Sequence, residues 1–184
     1  MKSGLFINII VTFGIIAVVS FVGVTFAWYQ IDNSGSSVNV STEDVSVEYA
    51  NTNVISNKLG IPIDKDEVAT KADYCDLTVD VLKMSSRYNY VFNLSLTNIV
   101  IDNELKNSED FRWELVKNGR TLVSGNFLNL TGDTMLLHSE IFDTVQSNTY
   151  TIRVWLNNTT SSQNELMGKK FTAKVEGSTM LNVK

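Results

Sequence analysis

The residues able to do chemistry in this chain are few and scattered. His138 is the only histidine. A zinc-peptidase helix needs two histidines flanking a glutamate, and a serine-histidine-aspartate triad commonly sets its nucleophile in a Gly-x-Ser-x-Gly turn. Neither pattern occurs. His138 lies in "MLLHSEIF", where alternation predicts a strand residue facing solvent or a sheet edge. Asp64, Asp66, Glu67 and Asp73 gather in "DKDEVATKAD". Loop carboxylates are Ca²⁺ ligands by type, but this spacing lacks the glycine and terminal glutamate of an EF-hand loop. Lys65 and Lys71 also offset the charge, so solvated loop charges are expected. Cys75 is the only cysteine, which leaves no intramolecular disulfide and no multi-cysteine metal site. In "ADYCDLTVDV" it reads as a small, partly buried apolar side chain, with a cross-link between two chains as the other reading. Trp113, Trp155 and the pair Tyr88 and Tyr90 are the right types for a ligand-stacking platform. The same residues suit core or sheet-face packing, which is the expectation adopted. No catalytic, cofactor-binding or metal-binding residue is assigned, and no enzyme activity is expected.

Charge excludes one class of partner. The chain has 15 basic and 20 acidic residues, a formal net charge of −5, and no basic block. Nucleic-acid binding rests largely on neutralising phosphates with Lys and Arg, so no nucleic-acid partner is expected.

The elements that would position these residues are strands. After residue 29 no stretch sustains a helical stripe, while short alternating runs recur between Asn, Asp, Gly and Ser. "SVNVSTEDVSVEYA" alternates through Val38, Val40, Val45, Val47 and Tyr49. Leu77, Val79 and Val81 share one face, as do Tyr90, Phe92, Leu94 and Leu96, and again Tyr150, Ile152, Val154 and Leu156. "KKFTAKVEG" closes the series through Phe171, Ala173 and Val175. Asn118-Gly119 between two apolar-rich runs predicts a two-residue hairpin, because a type I′ turn needs positive φ at both central positions. Seven to nine strands of this kind predict an all-β fold, an antiparallel β-sandwich of jelly-roll or immunoglobulin-like type. Residues 51–73 break the pattern and hold the only proline, Pro62. They read as a surface excursion with one helical turn. "NTTSSQNELMGKK" reads as a second loop with a short turn at residues 165–167.

Ahead of the strands lies an uncharged apolar run, residues 5–29, preceded by a single Lys2. It exceeds the roughly 20 residues that a spanning helix needs. Thr25-Phe26-Ala27 also supplies the small residues that a signal peptidase accepts, with the cut between Ala27 and Trp28. Two readings stay open: a cleaved signal peptide or a membrane anchor over 1–27. Either places the remainder outside the cytoplasm, extracellular or on the cell surface. Residues 28–37 then form a linker or donor segment, and 38–184 the β-sandwich domain.

The leader closing on "GVTFAWYQIDN", followed by an Asn/Ser/Thr-rich β domain, resembles the TasA/camelysin group. These are exported proteins of Gram-positive bacteria processed by a SipW-type signal peptidase. The resemblance implies a jelly-roll-like fold and a structural role in matrix fibres or on the cell surface. It also implies that the mature N-terminal segment adds a strand to a neighbouring subunit, with Trp28 and Tyr29 as anchors. Some camelysin-like relatives are described as metallopeptidases, and no residue set here matches that activity. The resulting expectation is a non-enzymatic exported structural protein, without a cofactor, whose partner is itself or another surface protein. The alternative is a membrane-anchored, adhesin-like module that recognises a glycan or protein. There Trp28 and Tyr29 sit at the membrane interface.

Overall fold

A computed structural model of the chain describes residues 37–42, 45–50, 53–57, 60–84 and 86–183. The expected leader, the Ala27–Trp28 bond and the anchors Trp28 and Tyr29 lie outside the described residues.

Eleven strands run through the described part: β1 (Ser37–Thr42), β2 (Val45–Ala50), β3 (Asn53–Ser56), β4 (Pro62–Ile63), β5 (Asp73–Lys83), β6 (Tyr88–Ile101), β7 (Phe111–Lys117), β8 (Arg120–Asn126), β9 (Met135–Phe142), β10 (Gln146–Asn157) and β11 (Phe171–Val183). The fold is all-β. One sheet has the order β1-β2-β5-β10-β7-β8, with β4 also pairing to β10, and the other has the order β3-β11-β6-β9. All pairings are antiparallel except β4 on β10, which is parallel over two residues.

Alternation decides which faces are buried. Tyr90, Phe92, Leu94 and Leu96 of β6 are almost fully buried, as are Leu77, Val79 and Val81 of β5 and Tyr150, Ile152, Val154 and Leu156 of β10. The two sheets meet through rings. Phe92 lies 5.4 Å from Tyr150, and Phe111 of β7 lies 5.4 Å from Phe171 of β11. Fully burying an aromatic or aliphatic side chain of this size stabilises by about 1.5–3 kcal/mol, so these two clusters dominate the core.

Two backbone devices set the register. The β7–β8 hairpin turns on Asn118 (φ 49°) and Gly119 (φ 80°), both in the left-handed region, as the sequence predicts. Within β6, Thr97 faces Lys174 and Val100 faces Thr172, so Asn98 and Ile99 together oppose Ala173. Asn98 takes φ 49° there, a conformation that Asn tolerates better than most residues. The extra residue turns Ile99 inward, where alternation alone would have placed Asn98, and Ile99 is buried.

The two alternating sets of "SVNVSTEDVSVEYA" form a hairpin of two strands, with Thr42 opposite Val45. The structure corrects two expectations. Residues 51–73 are not a surface excursion. They contain β3, paired to β11, and β4, paired to β10. Ile55, Ile63, Val68 and Ala72 are buried there. The expected helical turn exists at Val68–Lys71, after a 3₁₀ turn at Lys65–Glu67. This segment folds over the outer face of the larger sheet and closes a small apolar cluster of Ile63, Val68, Ala72 and Trp155. Finally, the last strand extends beyond Val175 to Val183.

Candidate functional site

The sequence-flagged residues do not converge. Trp113 points into the core and donates its indole N–H to the Asn126 carbonyl at 3.1 Å. Trp155 is 8% exposed under the 62–72 segment, and Tyr90 is buried at the far end of β6. A stacking platform is ruled out, because the two indoles lie on opposite faces of one sheet: adjacent positions Val154 and Trp155 pair with Trp113 and Arg112. The acidic residues of 64–73 also disperse. Asp64 accepts from the Asn158 side chain at 2.7 Å, and Glu67 pairs with Lys71 at 2.5 Å. Among the described residues no group of three or more His, Cys, Asp or Glu side chains is placed to hold a metal ion. Cys75 is 5% exposed on the inward face of β5, as its apolar reading expects.

His138 lies on β9, the edge strand of the smaller sheet, which meets the sheet-edge half of the expectation. It pairs with buried Leu94 and so shares the inward parity of Glu140 rather than facing solvent. Its Nε2 is 3.8 Å from Glu140 Oε1. Glu140 is the hub that sequence reasoning missed. Its Oε2 accepts from Lys117 Nζ at 2.6 Å, and its Oε1 accepts from the Tyr150 hydroxyl. The Lys117 ammonium also lies 5.8 Å from the Phe142 ring centroid and 5.6 Å from that of Tyr150. Lys117 and Tyr150 belong to the larger sheet and Glu140 to the smaller, so the carboxylate ties the sheets at one end of the core. With both oxygens engaged, it is a structural tie rather than a free base. A signal was present: Glu140 shares parity with buried Phe142, which puts a charge at an inward position.

Near this end several buried polar atoms have no partner: the Tyr90 hydroxyl, Thr179 Oγ1, Asn89 Oδ1 and Asn148 Nδ2. Burial pushes the Tyr90 phenol up to about 12, because the charged form would lose its hydration. The opposite end is more fully bonded, although Trp155 Nε1 and Thr159 Oγ1 are buried there without a partner. Asn57 donates Nδ2–H to the Lys169 carbonyl at 2.7 Å and accepts from the Phe171 N–H at 2.6 Å. Its side-chain amide thus prolongs the β3–β11 ladder. Gln163, also buried, donates to Asp110 Oδ2 at 2.9 Å and to the Asn157 carbonyl at 2.8 Å. The Lys169 ammonium donates to Glu104 and holds that carboxyl below its usual range, and the carboxylate raises Lys169 in return.

The strand edges differ in how they are protected. β8 and β9 each carry a register shift and at least one ionisable side chain, Arg120 on β8 and His138 and Glu140 on β9. Bulges and charges of this kind discourage pairing with another chain. β11 pairs with β6 as far as Val183, but with β3 only from Thr172 to Val175. Among the described residues nothing pairs with the other side of 176–183, and 177–183, "GSTMLNV", has no charge, no proline and no register shift. Leu181 faces Tyr90 in the ladder and so points to the core side, yet it is 46% exposed.

Among the described residues no helix is long and apolar enough to cross a membrane. No known protein family, curated protein or solved structure matches this chain.

Proposed function

We propose that the protein is a non-enzymatic, exported structural protein of the cell surface or extracellular matrix that assembles with itself into fibres by N-terminal strand addition. The observation that carries this reading is the boundary at the start of the domain. The first described strand begins at Ser37, so the aromatic-led stretch 28–36 stands between the apolar leader and an all-β domain. Freed by a cut after Ala27, such a stretch is a ready strand donor: added backbone satisfies an edge, and alternate side chains give specificity. The resemblance to TasA/camelysin proteins, carried by "GVTFAWYQIDN", supports the same reading. On it, the two sheets sharing one core are a β-sandwich of jelly-roll or immunoglobulin-like type, residues 1–27 are a signal peptide, and the partner is a second copy.

Purified protein beginning at Trp28 is expected to form fibres above a threshold concentration, seen by electron microscopy, and deletion of 28–36 is expected to abolish them. Protein that stays monomeric at high concentration, with no effect of the deletion, defeats the proposal. A full-length chain held in the membrane with 5–29 intact would favour the anchored binding module instead.

A further inference from the structure

The geometry points to the open edge of β11, residues 176–183, as the acceptor for residues 28–36 of a second copy of this chain. The inference rests on the self-assembly reading above and adds to it the surface on which assembly occurs. Three observations together point to this edge. It is the longest stretch of regular strand with one side unpaired among the described residues, and its register with β6 is unbroken from Lys174 to Val183. The single irregularity in that pairing lies between Thr172 and Lys174, within the part that β3 covers. Second, the edge lacks the usual safeguards. From 177 onward it has neither charge nor proline, whereas β8 and β9 have both bulge and charge; the edges β1 and β3 are likewise uncharged but shorter, six and four residues. Third, the core beside it is incomplete. Leu181 points to the core side and stays 46% exposed, and the Thr179 and Tyr90 hydroxyls are buried without partners. Buried polar groups are ordinarily satisfied; orphans lie at Thr97, Trp155 and Thr159 as well, and the pair here gains its meaning from the exposed Leu181 and the unpaired strand beside it.

The length and composition of the donor fit. Nine residues, Trp28 to Ser36, precede β1. Extended at about 3.3 Å per residue they span roughly 30 Å, enough to run the length of an eight-residue edge. Tyr29 and Ile31 fall on one face of such a strand, apolar side chains able to cover Leu181, and Asp32 is the segment's one charged side chain, opposite in sign to the α-ammonium that a cut leaves on Trp28. A low-charge strand on an edge whose residues 177–183 are uncharged incurs little desolvation cost.

The test uses protein beginning at Trp28, in two tagged forms of different size. Cys75 is 5% exposed and stays in place as an unreactive thiol. One form carries Gln30→Cys. The other carries a single cysteine on β11 (Ser178→Cys, Met180→Cys or Asn182→Cys) or on another edge (Asn39→Cys on β1, Thr121→Cys on β8, Ser139→Cys on β9). Mixed, assembled and oxidised, the β11 set is expected to yield a disulfide-linked heterodimer on a non-reducing gel, and the other edges none. Fibres whose cross-links fall on β1, β8 or β9 overturn the acceptor assignment and leave self-assembly standing. So does a Gln30→Cys, Met180→Cys double variant that closes its disulfide within one chain. Absence of both fibres and cross-links overturns both. A Ser178→Lys, Met180→Lys variant guards against misfolding of the cysteine forms. It is expected to keep the circular dichroism spectrum of the parent and to lose fibre growth, and unchanged growth contradicts the assignment.

Discussion

At the end of the core where β4 joins β10, the rings of Phe111, Phe127 and Phe171 pack within 5.0–5.4 Å of one another, and Asn57 and Gln163 close the loops above them. At the other end Phe92, Phe142 and Tyr150 pack as closely, at 5.4–5.6 Å, but share their space with Glu140, Lys117 and His138 and with hydroxyls that lack partners. Both ends keep buried polar atoms without partners, Trp155 Nε1 and Thr159 Oγ1 at the first and the Tyr90 hydroxyl, Asn89 Oδ1, Asn148 Nδ2 and Thr179 Oγ1 at the second. They differ in what holds the rings: neutral side-chain amides close the first, and a charged carboxylate ties the second. The second also carries the strand edge that has no partner among the described residues.

Substitutions at the two ends should therefore differ in size and in kind. Phe171→Ala removes a ring shared with Phe111 and Phe127 and is expected to cost about 3–5 kcal/mol. Chemical denaturation would read this as a large drop in midpoint. Glu140→Ala strips Lys117 and Tyr150 of their acceptor and is expected to cost about 2 kcal/mol by the same measurement. A loss as large as that of Phe171→Ala would erase the contrast, since the polar tie would then matter as much as a core ring. The smallest effect belongs to Tyr90→Phe. It deletes a hydroxyl with no partner, so stability at neutral pH should hold or rise by up to about 1 kcal/mol. The parent should also lose stability as pH rises from about 10 toward 12. The unfolded phenol ionises near 10 and the folded one only near 12, so the unfolded state is favoured across that window and the gain below it is lost. Tyr90→Phe should flatten this alkaline decline in a pH series of unfolding midpoints. An unchanged decline would place its cause elsewhere.

Legibility followed strand length rather than the end of the core. Period-two alternation identifies the inward faces of β5, β6 and β10 because each is wet on one side and buried on the other. The Asn118-Gly119 turn was legible because few residue pairs accept two positive φ values. Residues 51–73 were not. β3 and β4 are too short to show a period, and their burial depends on β11, β10 and Trp155, distant in sequence. The Glu140 tie joins three strands, and only the parity of one charge hinted at it. The open edge of β11 lay beyond reach altogether, because periodicity reports which face of a strand is buried and carries no information on which strand, if any, lies beside it.

The central claim is that a cut between Ala27 and Trp28 releases a segment that joins one copy to the next. N-terminal sequencing of the protein recovered from the cell exterior tests this most directly. The account expects a start at Trp28. A start at Met1, with the apolar run still attached, would contradict it.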